Sequence, residues 1–195
     1  MSRMYRVTIK ETVKINTQSD DRIVRDIVLQ QILPQEQMVE LLERSMQEKG
    51  FVQENGVYSK EIEGVRLDID LNACNEQGQK SIQSVLQLSL DSSTDLQIEF
   101  IEQSYNPEVA NKSAVEKADA IKSDSRQAAQ TELDDRVSQQ LEQAACQADV
   151  LMHEMLQEVY GEALKQKAAQ LGTVLEQSES IDENGSYELK IRIEI

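Results

Sequence analysis

The sequence is poor in the residues that build common metal and catalytic sites, and in those that interrupt secondary structure. Its 195 residues include one His, two Cys, two Pro, seven Gly and no Trp. One His and two separated Cys do not supply the three or four ligands of a usual zinc site. Since only five Tyr and two Phe are present, we predict an aliphatic core. The small number of Pro and Gly predicts long, rarely interrupted helices.

Motifs for phosphate binding and for zinc-dependent proteolysis are missing. Neither a G-x-x-x-x-G-K-[ST] nor a G-x-G-x-x-G sequence occurs. His153-Glu154 begins like a zinc-protease helix, but the second His of that motif is replaced by Gln157. We therefore assign His153 to a helix surface or a packing role.

A second motif resembles the start of a calcium-binding loop. Asp68, Asp70 and Asn72 have the right spacing, but the loop also needs Gly at its sixth position and Glu at its twelfth. Those positions hold Ala73 and Gln79. We assign Asp68 and Asp70 to the solvent face of a strand, and predict no catalytic residue, no cofactor and no metal site.

The charge balance limits the classes of partner. The chain has 36 Asp and Glu against 20 Lys and Arg, a formal net charge of −16. Such a surface repels phosphates, so we predict neither nucleic-acid binding nor binding to an anionic membrane. Met1–Lys14 has no apolar signal segment and no 18-residue apolar run occurs, which predicts a cytoplasmic protein. The charge serves solubility alone or attracts a basic partner, and both interpretations stay open.

Alternating and helical patterns divide the first 50 residues. Tyr5–Ile9 alternates as a half-buried strand, and the polar stretch Asn16–Asp21 predicts a loop. Ile23–Leu33 fits a short helix or a second strand. Pro34–Lys49 has helical spacing, begins with a favoured first-turn Pro and ends at Gly50, which predicts a helix.

Residues 51–105 predict an antiparallel meander with one wet face. Asn55-Gly56 and Glu63-Gly64 mark tight turns. Val65–Leu71, Leu86–Leu90 and Leu96–Phe100 each alternate apolar with polar residues, as half-buried strands do.

The segment from Glu108 to about Leu171 predicts helix, because it is rich in Ala, Gln, Glu and Lys and ends at Gly172. A break between its two halves is predicted near Ser123–Ser125, which would give either a helical hairpin or one bent helix. The first half is weakly apolar, with a single stripe of Val109, Val115, Ala118 and Ile121.

The second half carries a stronger apolar stripe with spacings slightly above 3.6 residues. It packs on the protein's own sheet or forms a groove for a partner. The residues we assign to partner binding as a hypothesis are Leu141, Leu151, Met155 and Val159.

The C-terminal residues predict a hairpin. A strand begins at Val174, Glu183-Asn184-Gly185 forms a turn, and Tyr187–Ile195 alternates to the last residue. We expect this last strand to join the sheet that contains Tyr5–Ile9, because a strand this regular needs a partner.

Together these elements predict an α+β fold, in which an antiparallel sheet formed by both termini and a central meander is packed by helices. We divide the chain into a sheet domain over 1–105, a long helix or helical hairpin over 106–172, and a C-terminal hairpin over 173–195 that returns to the sheet.

Both ends of the chain resemble a small family encoded in plastids and cyanobacteria. The resemblance rests on Met1-Ser2 with Val7–Lys10 at the start, and on Ala168–Gly172, Val174–Glu176 and Asp182–Ser186 at the end. Relatives of that family are accessory components encoded beside AAA+ ATPases or FtsH-like proteases in bacterial multi-gene systems. The resemblance implies no catalytic residues and an accessory role.

We therefore expect a non-enzymatic adaptor that binds a protein partner in a multi-component assembly, with an AAA+ ATPase as the partner that the resemblance suggests. One alternative is a metal-dependent enzyme that uses an acidic cluster such as Asp68 and Asp70. Another is an acidic mimic that inhibits a nucleic-acid-binding protein.

Overall fold

The computed structural model describes residues 4–74, 80–181 and 187–194. The fold is α+β, as predicted. Its elements, in chain order, are β1 (Tyr5–Ile27), α1 (Gln35–Glu48), β2 (Val52–Glu54), β3 (Val57–Ile62), β4 (Val65–Cys74), β5 (Lys80–Ser104), α2 (Pro107–Leu171), β6 (Thr173–Ile181) and β7 (Tyr187–Glu194). One five-stranded sheet has the order β1-β5-β4-β3-β2, and β6 pairs with β7 in a sheet of two strands.

The chain divides into two compact units. Unit 1 comprises 1–21 and 88–140, and unit 2 comprises 22–87 and 141–195. Within the described ranges, no helix is both long and apolar enough to cross a membrane.

Strand β1 continues through residues that we predicted to form a loop. Within unit 1, Ile15, Thr17 and Ser19 are all buried, while the residues between them are exposed. The alternation of the strand thus persists where its inward side chains become small and polar. For Ile23–Leu33, the strand alternative is correct as far as Ile27.

Helix α2 begins as its sequence directs. The Asn106 side-chain carbonyl accepts a hydrogen bond from the Glu108 backbone N–H at 2.9 Å, and Pro107 occupies the first helical position. The helix then runs without interruption over 65 residues, so the helical hairpin that we considered does not form. Its end at Leu171 is as predicted, and the Gly172 N–H donates to the Ala168 carbonyl at 3.2 Å.

The buried face of α2 in unit 1 differs from the predicted stripe. Of that stripe only Ala118 is buried, whereas Val109 and Val115 are 54% and 55% exposed. The buried positions of this segment are instead Ala110, Ala114, Ala118, Leu133 and Val137. Three of these five are alanines, and their small side chains allow a close approach of the helix in its first turns.

Ion pairs complement these small apolar contacts in unit 1. Lys117 Nζ lies 2.6 Å from Glu102 Oε2, and this hydrogen bond lowers the pKa of the Glu102 carboxyl. Lys122 Nζ lies 2.9 Å from Glu11 Oε2, which joins the helix to β1. These two contacts join α2 to β5 and to β1, and they determine which face of α2 lies against those strands within unit 1.

The meander of unit 2 has the two predicted tight turns. Glu54 pairs with Val57 across Asn55-Gly56, where both turn residues have positive φ, 53° and 86°. This is the geometry that two-residue hairpin loops favour, and it suits Asn and Gly. The second turn repeats it between β3 and β4, at Glu63-Gly64.

The core of unit 2 is aliphatic, with few aromatic side chains. Its largest fully buried side chains are Tyr58, Leu33, Met38, Leu42, Met46, Val65, Leu67, Ile69, Leu141, Met155 and Val159.

Strand β5 is longer than predicted, because Asp91–Asp95 continue the strand between the two alternating segments that we identified.

Among the described residues, the C-terminal hairpin forms a sheet of its own and does not pair with the larger sheet, contrary to our expectation. Strands β6 and β7 pair with each other from Thr173 opposite Glu194 to Ile181 opposite Tyr187. An alternating pattern decides which face of a strand is buried but not which strand lies beside it, and a neighbour in sequence needs the least chain closure. The predicted turn at Glu183-Asn184-Gly185 lies outside the described residues.

Candidate partner-binding site

Three of the four side chains assigned to partner binding are buried within unit 2. Leu141, Met155 and Val159 are 1%, 0% and 2% exposed, and Leu151 is half-buried. Of these four side chains, only that of Leu151 is accessible to a partner unless unit 2 rearranges. Partner binding by these four residues therefore stays a prediction, while their burial favours the alternative of packing inside the unit.

The side chains on the surface beside this stripe are polar and charged, and they link α2 to α1. The Ser45 hydroxyl donates to Glu158 Oε2 at 2.8 Å, and Lys49 Nζ lies 2.8 Å from Glu158 Oε1. Lys49 also lies 3.5 Å from Glu154 Oε2. Ser45 itself is buried, so its hydroxyl needs the acceptor that Glu158 provides.

These contacts shift both charged groups away from their ordinary titration range. The hydrogen bond to Glu158 raises the pKa of Lys49 and outweighs the opposing effect of burial. Burial alone raises the pKa of Glu158, but the hydrogen bonds from Lys49 and Ser45, together with the charge of Lys49, outweigh it and lower the pKa. Both groups are therefore charged throughout the neutral range.

The network borders a surface groove of about 560 Å³ that lies wholly within unit 2. Its floor includes apolar atoms of Leu41 and Val159, and its rim is charged. The charged side chains lining it are Arg44, Glu48, Lys49, Glu154, Glu158, Glu162, Lys165 and Glu179. Five carboxylates thus face three cations.

The two carboxylates in excess over the cations are Glu48 and Glu162. Lys49 pairs with Glu154 and Glu158, and Lys165 Nζ lies 2.7 Å from Glu179 Oε1. Among the described residues, neither Glu48 nor Glu162 forms an ion pair; Glu162 accepts a hydrogen bond from the neutral amide of Gln166 at 3.1 Å. The groove is therefore suited to a cationic side chain of a partner.

The acidic pair considered for metal chemistry is engaged in local contacts. Asp68 Oδ1 accepts hydrogen bonds from Ser59 Oγ at 2.6 Å and from Arg66 Nε at 2.8 Å. Asp70 Oδ1 accepts the Asn72 backbone N–H at 2.8 Å. Both lie on β4, so their assignment to a strand is confirmed. In the part of the chain that the structure describes, no group of three or more His, Cys, Asp or Glu side chains is arranged to hold a metal ion.

The single histidine lies on the surface of α2, one of the two roles assigned to it. His153 is exposed, and its Nε2 lies 3.0 Å from the Gln157 side-chain amide nitrogen one turn later. Cys146, also on α2, is exposed and free.

Sequence reasoning did not find the groove, although one signal for it was present. Ser45 occupies an apolar face of α1 between Leu42 and Met46, where a buried hydroxyl requires a hydrogen-bond partner. That requirement predicts a polar contact but not its acceptor, because Glu158 follows 113 residues later.

Comparison with known proteins identifies a family over the whole length. The chain matches the family described as FtsH ternary system domain X5 over residues 1–195. No curated protein and no solved structure matches it. The match confirms the resemblance to accessory proteins of FtsH-type multi-gene systems, and it extends beyond the two termini. The chain belongs to the family of FtsH ternary system domain X5.

Proposed function

We propose that this protein is a non-enzymatic accessory subunit that binds a basic segment of a protein partner in the groove of unit 2. Membership of the FtsH ternary system domain X5 family supports an accessory component of a multi-gene system. An AAA+ ATPase or FtsH-type protease of that system is the partner class we favour, and the cytoplasm is the compartment that we expect.

The surplus of carboxylates in the groove is the observation that carries the proposal. Glu48 and Glu162 lie at the groove without an ion pair among the described residues. Unit 2 as a whole contains 22 Asp and Glu against 11 Lys and Arg, so most of the net charge of −16 belongs to it. A partner's Lys or Arg side chains would gain attraction here, and complementary charge mainly raises the association rate.

Charge reversal in the groove tests the proposal. We would compare the wild type with the double variant Glu48→Lys/Glu162→Lys in affinity capture from native lysate, at low and at high salt, and identify the recovered proteins. The control is Glu116→Lys/Glu132→Lys, which makes the same charge change at exposed positions of α2 in unit 1.

The expected result is a stoichiometric partner that is retained by the control, released by high salt and lost from the groove variant. Equal capture by both variants would rule the groove out as the contact. A recovered nucleic-acid-binding protein that DNA displaces would instead support the acidic-mimic alternative. Both variants must melt at the temperature of the wild type for the comparison to hold.

A further inference from the structure

The C-terminal hairpin has a strand edge without a neighbour among the described residues. Strand β7 pairs with β6 on one side, and the two strands form a sheet of their own. An isolated two-stranded hairpin is only marginally stable in water, and a third strand adds hydrogen bonds to its open N–H and C=O groups. The outer edge of β7 is therefore a place where another strand is expected to add.

The side chains of β7 alternate in a way that suits a continued sheet. Leu189, Ile191 and Ile193 are half-buried on one face. The exposed residues between them are charged and of both signs: Glu188, Lys190, Arg192 and Glu194. Strand β7 contains neither Pro nor Gly, and the register irregularity of the hairpin lies in β6, between Val174 and Glu176. The features that usually block an edge are thus absent from the described part of β7, apart from its charges.

We propose that β7 pairs with β7 of a second copy of this chain, antiparallel and centred on Lys190, so that two hairpins form one four-stranded sheet. In this register Glu188 of each copy lies opposite Arg192 of the other, which gives two attractive pairs against one Lys190–Lys190 contact. Leu189 lies opposite Ile191 on the apolar face. The proposal does not rest on the partner-binding groove.

The charges select this register over the other one that aligns seven residues of β7. A pairing centred on Ile191 also aligns seven of the eight residues of β7, but it sets Glu188 opposite Glu194 and Lys190 opposite Arg192. Every charged pair would then be repulsive, and like charges directly opposite one another destabilise a sheet. The two registers therefore predict opposite responses to one substitution.

That substitution is Glu188→Arg. Glu188 lies opposite Ser180 inside the hairpin, so the change sets no like charges opposite each other there, although it replaces an exposed attraction to Lys190 at 3.0 Å by a repulsion. In the Lys190-centred register it sets the introduced guanidinium opposite Arg192 at two places. We expect the dimer dissociation constant, measured by sedimentation velocity, to rise about tenfold or more. The control Glu132→Arg, with the same charge change in unit 1, is expected to leave it unchanged.

A complementary variant restores the pairing between different chains. Arg192→Glu is combined with Glu176→Ser, because Glu176 lies opposite Arg192 within the hairpin. Each variant alone opposes like charges in a homodimer. In a mixture, one strand carries cations at both positions and the other carries carboxylates at both, so each of the two contacts becomes attractive. We expect each variant to be monomeric alone and the mixture to form heterodimers.

A cross-linking experiment measures the register directly. In a background with Cys74 and Cys146 replaced by Ser, Lys190→Cys places two thiols opposite each other across the two-fold axis, within reach of a disulfide. Glu188→Cys serves as the control, because its two thiols would be separated by several residues along the strands. We expect oxidised dimers from the first variant only.

Circular dichroism and melting curves confirm that each variant is folded before association is compared. A wild type that stays monomeric at all concentrations would overturn the proposal, as would a dimer that Glu188→Arg leaves unchanged. A dimer tightened by Glu188→Arg would establish the Ile191-centred register in place of the proposed one.

Discussion

Lys49 and Glu158 form an ion pair of 2.8 Å between the end of α1 and the C-terminal half of α2. The second oxygen of the Glu158 carboxylate accepts the hydroxyl of buried Ser45, also at 2.8 Å. The Lys49 backbone carbonyl accepts a hydrogen bond from Lys60 Nζ at 2.6 Å, so the last turn of α1 is held from two sides. One carboxylate thus satisfies a buried hydroxyl and a cation at the rim of the groove.

The pair makes the stability of unit 2 depend on pH in a defined direction. The pKa of Glu158 is lowered from 4.5 in the folded state, so its contribution is complete above that value and is lost as pH falls through the folded pKa. The pKa of Lys49 is raised from 10.5, so its contribution is complete below that value and is lost as pH rises through the folded pKa. The pair therefore stabilises fully between those two limits.

Glu158→Gln tests this dependence, because Gln keeps an oxygen for the Ser45 hydroxyl but removes the charge. We expect a loss of about 0.5–1 kcal/mol in the free energy of unfolding at pH 7, a modest value since the Glu158 side chain is 47% exposed. Urea unfolding at pH 7 and at about pH 3 measures it, and the difference from wild type should be smaller at the lower pH.

The control for this experiment is Glu40→Gln, which weakens a 3.9 Å contact with Arg44 on the exposed side of α1. It is expected to have little effect at either pH. A deficit of Glu158→Gln that persists unchanged at about pH 3 would show that the charge of Glu158 is not its cause.

Neighbouring positions on α2 are predicted to respond oppositely to enlargement. Ala114 is 1% exposed within unit 1, whereas Val115 is 55% exposed. Ala114→Leu adds volume to a closely packed face and should cost about 1–3 kcal/mol in the free energy of unfolding. Val115→Leu should stay within about 0.5 kcal/mol of wild type. Chemical denaturation of both variants checks the prediction; equal effects would mean that the assigned inward face is wrong.

Ala114 and Val115 also show why the apolar stripe that we predicted for the first half of α2 was wrong. A helix face is usually recognised by its large apolar residues, and Val115 is larger than Ala114. Inside unit 1 the closely packed face takes alanine, and alanine also has the highest helix propensity. Its presence therefore does not reveal whether it was selected for packing or for helix formation.

Local patterns predicted most elements of the fold, including α1, the two tight turns and both ends of α2. They failed where an inward-facing residue is polar, as at Thr17 and Ser19 of β1, since the alternation there is no longer one of hydrophobicity. They also failed to predict which strand pairs with β7, because that pairing follows from the direct connection of β7 to β6 along the chain. Ser45 and Glu158 both line the groove and are joined by a hydrogen bond, and no local pattern encodes a contact between residues so distant in sequence.

The apolar stripe in the second half of α2 provides the last prediction, which separates a core role from a partner surface. Met155 is fully buried in unit 2, and Met155→Ala should cost about 2–5 kcal/mol in the free energy of unfolding through the cavity it leaves. Val150→Ala, at a position 61% exposed on the same helix, should change it by about 0.5 kcal/mol or less. Leu151→Ser, at the half-buried position between them, should keep the protein folded, and it weakens capture of a partner only if the partner contacts the stripe. Denaturation curves and the capture experiment together distinguish the two roles. A Met155→Ala variant that is as stable as wild type but no longer retains the partner would assign the stripe to binding. A destabilised Met155→Ala variant, together with a Leu151→Ser variant that captures the partner normally, would assign the stripe to the core.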